Sequence, residues 1–269
     1  MLWFCLFGNA ASQTVQPNIF KEINTAFDSL KTIKSDSVKL AFNNHIYSKL
    51  IELLQSPISF KISLDSMKRL GVVMAPDHKF RIFTWNVYLS NGTNRFFGII
   101  QMAPEKNGHC KIFQLNDISF SLKDKDRYVT LYAPQWFGSL YYQIIKCKIK
   151  KKEIYTLLAL RFNDLFTNQK VIETLYFDEN GYPVFGFPVF EYGVNLQKRL
   201  IYEYSINAVM SMKYYEDSKM IIFDHLSPSS SMHSGNFKFY GPDFSYDAYK
   251  FEKDHWKYFP NFDFKEQGK

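Results

Sequence analysis

The chain has 269 residues, 46% apolar and 22% charged, which is enough for one large folded unit with a real core and excludes a disordered polyelectrolyte. A formal charge of +7 favours anionic surfaces, but the basic residues are scattered except for Lys146, Lys148, Lys150, Lys151 and Lys152. Nucleic acid needs cations converging on one face, so none is expected as a partner.

The opening MLWFCLFGNAASQ reads as the remnant of an export leader over residues 1–12, with an apolar run at Leu2–Phe7 followed by Gly8, Ala10, Ala11 and Ser12. Cys5 follows Trp3-Phe4, not the small residues of a lipid-attachment box. No later stretch approaches the ~20 apolar residues of a membrane helix, so no transmembrane segment is expected. The expected location is exported, periplasmic or extracellular. Cys110 and Cys147 each lie in a strand-like run, which favours two buried free thiols over a disulfide.

Residues 13–57 read as a helical hairpin. Phe20, Ile23, Phe27 and Leu30 form one stripe, and Val38, Phe42, Ile46, Leu50 and Leu54 recur every four residues after a Ser35-Asp36 start. Pro57 ends it. His45 reads as a surface histidine.

From about Leu70 to the end the period is two, and residues 58–269 read as one antiparallel β domain. Asn91-Gly92 is the strongest turn signal, and the lysine run reads as a solvated tip between Trp136–Ile149 and Glu153–Phe162. Residues 121–127, with Asp124, Lys125 and Asp126, read as a charged loop. Thr167-Asn168 reads as the cap of a short helical turn. The last hairpin pairs Tyr246–Glu252 with Trp256–Phe259 across Lys253-Asp254. The 27 Phe, 18 Tyr and 4 Trp suit pleated surfaces. The expected class is mainly β: an antiparallel meander of about a dozen strands, as a curled sheet, barrel, sandwich or propeller-like body, carrying an N-terminal helical hairpin.

The runs FRIFTWNVYLSNGTNRFFGIIQ (80–101), WFGSLYYQII (136–145), MIIFDHLSP (220–228) and FYGPDFSYDAYKF (239–251) resemble an uncharacterised family of exported β-rich proteins of Bacteroidota. The resemblance implies export and a single β-rich unit. It implies no activity and transfers no functional residue.

Chemistry concentrates in residues 220–259. His225, with Asp243 or Asp247 to orient it and Ser227, Ser229, Ser230 or Ser231 nearby, makes a hydrolase candidate. Asp224, adjacent to His225, points to the opposite face of a strand and cannot orient it. No G-x-S-x-G elbow occurs. Asp243, Ser245, Asp247 and Asp254 fall at positions 1, 3, 5 and 12 of a calcium-loop spacing, with Ala248 where glycine belongs. Calcium is therefore the one cofactor the spacing allows, and otherwise none is implied.

A third candidate is an aromatic recognition surface drawn from Trp85-Asn86, Trp136, Tyr141, Tyr142, Tyr240 and Trp256. Trp85 and Trp136 read as core, and Trp256, between His255 and Lys257, as surface. The preferred function is a non-catalytic, envelope-associated binding or accessory protein recognising glycan or protein. The alternative is a hydrolase, metal-assisted or not, centred on His225 with Asp243 and Asp247.

Overall fold

The computed structural model describes residues 17–106, 108–122 and 126–264. The expected leader, Cys5, the first residues of the helical hairpin, and Asp124 and Lys125 lie outside them. Helices α1 (Pro17–Ser29) and α2 (Asp36–Gln55) come first. Ile23, Phe27 and Leu30 are buried as their spacing predicts, but Val38 is 53% exposed. A strict four-residue repeat drifts about 40° per step around a helix of 3.6 residues per turn. Val38 therefore slides off the buried face, which takes in Asn43 and Leu53 instead. Ser35 caps α2 without a side-chain bond. Asp36 instead accepts from Ser90 N and Oγ, at 2.9 and 2.6 Å, tying the helix start to the hairpin end beside it. Among the described residues, no helix is long and apolar enough to cross a membrane.

Among the described residues, seventeen strands follow in three sheets. The first sheet holds β1 (Gly71–Met74), β2 (Phe80–Tyr88), β3 (Asn94–Met102), β4 (Ile112–Asp117) and β6 (Gln135–Trp136), in that order. The central sheet runs β5 (Leu131–Tyr132), β10 (Pro183–Phe185), β9 (Thr167–Phe177), β8 (Lys152–Phe162), β7 (Leu140–Ile149), with β13 (Arg199–Ser205) also on β9. The third runs β12 (Asn195–Gln197), β11 (Phe190–Tyr192), β17 (His255–Phe259), β16 (Tyr240–Glu252), β15 (Met220–Pro228), β14 (Met212–Tyr215). The sheets are mainly antiparallel and curled, and none closes into a barrel. Two short pairings, β4 with β6 and β11 with β17, are parallel. The surplus over a dozen strands comes from two- and three-residue pieces too short to show a period.

Alternation sets the layering. Phe83, Trp85, Val87 and Ile99 face the helices, while Phe80, Ile82, Phe96 and Ile100 face the central sheet. On β8, Tyr155, Leu157 and Ala159 point back to the first sheet, and Ile154 and Leu158 point to the third. The order is helices, first sheet, central sheet, third sheet. Trp85 anchors the first interface: Nε1 donates to Asn43 Oδ1 at 2.8 Å, and the ring stacks on Phe97 and meets Phe27 edge-on. Removing such a ring costs about 3–5 kcal/mol.

Polar groups fix the second interface. Glu173 on β9 and Arg199 on β13 sit directly opposite and fully buried, with Nη2 and Nε at 2.7 and 2.9 Å from Oε2. Tyr141 donates to the other oxygen of Glu173 and accepts from Trp136 Nε1 at 2.7 Å. A buried ion pair persists when its remaining donors and acceptors are occupied, as here. At the lysine-rich tip, Lys146 reaches Asp77 at 2.9 Å and Glu153 at 2.7 Å, so this residue ties the first sheet to the central one and is not simply solvated. Thr167 and Asn168 begin β9 and form no helical turn. Asp164 makes the reversal by accepting from the N–H groups of Phe166 and Thr167, at 2.8 and 2.9 Å. Cys110 and Cys147 are buried free thiols.

Candidate functional site

Period two places the site. Phe223, Tyr249 and Trp256 face the central sheet, so residues two places along, His225, Asp247 and Tyr258, follow on that face toward its rim. The β15–β16 ladder is regular through Asp224↔Tyr246 and resumes at Leu226↔Pro242. Asp243, Phe244 and Ser245 therefore bulge opposite the single residue His225. Bulges of this kind re-aim side chains. Phe244 has φ +72° and is 96% exposed, a strained conformation for a bulky residue with nothing packed on it.

The structure brings His225 and Asp247 together. His225 Nδ1 lies 2.8 Å from Asp247 Oδ2, which also accepts from Tyr258 Oη at 2.8 Å, and Oδ1 accepts from Asn261 N at 3.1 Å. Asp247 is 4% exposed and His225 about 38% by side chain. A buried carboxylate holding a half-exposed imidazole in one orientation has the geometry by which a general base is oriented. Asp224 takes no part: Oδ2 accepts from Ser211 N at 2.6 Å.

Asp243 is used differently. Its oxygens accept from Ser245 Oγ at 2.6 Å and Ser227 Oγ at 2.7 Å. These donors, Ser245 foremost, hold the Asp243 carboxyl down to about 2. Ser227 is thus bonded to a carboxylate and not to a base. Ser229 and Ser230 contact His233 Nδ1 at 2.9 and 3.3 Å, and His233 stacks on Phe239. These serines meet a histidine that no carboxylate is seen to orient among the described residues.

The residues of the calcium-loop spacing do not fold as a loop. Asp243, Ser245, Asp247 and Asp254 lie along the extended β16 and its turn, so positions 1 and 12 are on the order of 30 Å apart by strand rise. Asp254 sits in the two-residue turn with Lys253, both at positive φ. No group of three metal-ligating side chains gathers among the described residues.

The aromatic surface also needs correction. Trp256, expected outside, is 1% exposed: it faces the central sheet, donates Nε1 to Thr156 Oγ1 at 2.9 Å and packs edge-on against Phe251. Alternation decided this, because Trp256 shares the inner face with Tyr258 while His255 and Lys257 take the outer one. Trp136 and Tyr141 are buried around Glu173, closing Trp136 to any ligand. Tyr240 is half-buried, its hydroxyl accepting from Gly235 N at 2.9 Å. Tyr142 remains part-exposed with Oη donating to Met212 O.

Four other tyrosines do gather around one cavity. Between the central and third sheets opens a cavity of about 460 Å³ walled by Tyr202, Tyr249 and Tyr258, with Tyr192 at its lip. Arg127, Lys257 and Glu191 supply charge. Arg127 is held by donating Nη2 to Ile201 O at 2.8 Å, and Glu191 accepts from Tyr258 N at 3.1 Å. Burial raises the hydroxyls of all three wall tyrosines, Tyr249 up to about 12, so they stay neutral near neutral pH. Burial acts first on Tyr258, and its donation to Asp247 raises it further. Through that bond the cavity wall is joined to His225.

Sequence alone hides this cavity because Arg127 and Glu191 look like ordinary loop and strand residues. The available signal was the recurrence of tyrosine at strand positions: Tyr202 and Tyr204 two apart on β13, and Tyr249 paired with Tyr258 across β16 and β17. No protein-family model, no curated protein and no solved structure matches the chain.

Proposed function

We propose that this is a non-catalytic, exported, envelope-associated binding protein whose ligand is a glycan held in the tyrosine-walled cavity. The observation that carries the reading is the convergence of Tyr192, Tyr202, Tyr249 and Tyr258 with Arg127, Lys257 and Glu191 around one opening of about 460 Å³. Ring faces stack on the C–H faces of a sugar, and the charged side chains and hydroxyls bond its hydroxyl groups. Export rests on the apolar N-terminal run and the small residues after it. The test is a glycan panel read by titration calorimetry on the chain and on Tyr192→Ala, an exposed lip residue whose loss leaves the core intact. Saturable heat that weakens in Tyr192→Ala supports the reading. Absence of heat across neutral and acidic glycans sinks it.

A second reading is favoured by the His225–Asp247 contact alone: hydrolysis with His225 as base, oriented by Asp247. Turnover of ester or glycoside substrates, abolished in His225→Ala, would replace the binding reading.

A further inference from the structure

A second cavity, of about 440 Å³, lies where the helices meet the first sheet, and four cations line it: Lys31, Lys39, Lys68 and Arg69. They come from the α1–α2 connection, the first turn of α2 and the segment before β1. Their separation in sequence is why no basic face was legible. Two carboxylates answer them. Asp28 Oδ1 lies 3.2 Å from Arg69 Nε and 3.5 Å from Lys31 Nζ, while Asp36 Oδ1 is 3.9 Å from Lys39 Nζ. Asp36 is chiefly engaged by Ser90, and Lys39 donates to Tyr88 O at 2.8 Å. Among the described residues, Lys68 has no carboxylate within salt-bridge distance.

Four cations against two carboxylates leave two positive charges in excess around one concavity. Like charges held close in a partly enclosed space repel, and a bound anion removes that cost. Among the described residues Arg69 engages Asp28 through Nε alone, which leaves its two terminal nitrogens for the paired contact guanidinium groups make with phosphate oxygens. The charge excess matches a phosphate monoester, which carries nearly two negative charges at neutral pH.

We propose that this cavity is a binding site for a phosphoryl group, carried by a small ligand or present as free phosphate. The site shares no lining residue with the tyrosine-walled cavity and does not depend on the glycan reading.

The experiment is calorimetric and thermal-unfolding titration with inorganic phosphate and with a sugar phosphate, at ionic strength matched by sodium chloride. It is run on the chain, on Lys68→Glu, on Arg69→Gln and on Tyr192→Ala. Lys68 is exposed, so Lys68→Glu leaves the core packing untouched, and its chloride-only unfolding midpoint verifies this. The expected result is a saturable rise that weakens on the order of tenfold in Lys68→Glu and Arg69→Gln and is unchanged in Tyr192→Ala. Tighter binding of the sugar phosphate than of free phosphate would identify the ester as the ligand form, and equal binding the free ion. Phosphate also stabilises proteins by exclusion from their surfaces. A rise that does not saturate, or that persists undiminished in both charge variants, overturns the proposal.

Discussion

His225 Nδ1 and Asp247 Oδ2 meet at 2.8 Å across adjacent strands, and the same oxygen accepts from Tyr258 at the wall of the tyrosine cavity. Asp247 is the buried member and carries three bonds, whereas His225 is partly in water. Asp247→Ala strands the Tyr258 hydroxyl and the Asn261 N–H, and should lower stability by about 1–3 kcal/mol. His225→Ala should cost about 1 kcal/mol or less, because a part-exposed partner is screened. Urea unfolding of the two variants checks the order. Equal losses would mean that the half-exposed His225 contributes as much as the buried carboxylate, against this account.

That corner shows what could be read in advance. Strand alternation excludes Asp224 as the partner of His225 and leaves Asp243 or Asp247, and the contact in the structure is with Asp247. Which of the two it is was not legible, because the three-residue bulge Asp243–Ser245 shifts the register and turns Asp243 to Ser227 and Ser245. Likewise the mainly-β class and the helical hairpin followed from periodicity, while the stacking of one sheet on another depended on contacts such as Trp256 with Thr156, 100 residues apart. The cavity residues Arg127, Glu191 and Tyr202 come from three segments with no shared motif, so only the packed sheets reveal them.

The Glu173–Arg199 pair makes a stronger energetic claim. Both side chains are fully excluded from water, and Glu173 also takes the Tyr141 hydroxyl. Arg199→Met leaves an uncompensated carboxylate and should cost about 3–5 kcal/mol. Changing both residues to Met should cost less than the sum of the single changes, because no buried charge is left alone. A double-mutant cycle by chemical denaturation measures the difference, and strict additivity would contradict this account.

The Asp77–Lys146–Glu153 cluster predicts a pH dependence. Hydrogen bonds from Lys146 and then Lys79 lower the Glu153 carboxyl. Burial acts on Asp77 in the opposite sense, but Lys146 and Tyr155 outweigh it and leave its carboxyl low. Depressed carboxyls stabilise the fold above their unfolded values and lose that contribution as pH falls through the folded ones. Glu153 and then Asp77 raise the Lys146 ammonium, whose contribution is complete below its unfolded value and is lost as pH rises past the folded one. The cluster is thus at full strength between roughly pH 5 and pH 10. Asp77→Asn should reduce the fall in urea midpoint between about pH 6 and about pH 3 relative to the unaltered chain. Identical falls would remove Asp77 from the acid limb.

Phe244 offers a test of strain in the bulge facing His225. Its φ of +72° costs an L-residue about 1–2 kcal/mol, and a ring that is 96% exposed recovers little of this by packing. Glycine adopts this conformation freely but adds about 0.5–1 kcal/mol of unfolded-chain entropy. Phe244→Gly should therefore leave stability unchanged or raise it by up to about 1 kcal/mol. Alanine, which keeps the strain and loses only the ring, should stay close to the parent. Urea unfolding of both variants separates the causes. If glycine stabilises and alanine does not, the backbone conformation is the source of the strain. If both destabilise alike, the ring itself holds the bulge in spite of its exposure, and the strain account is wrong.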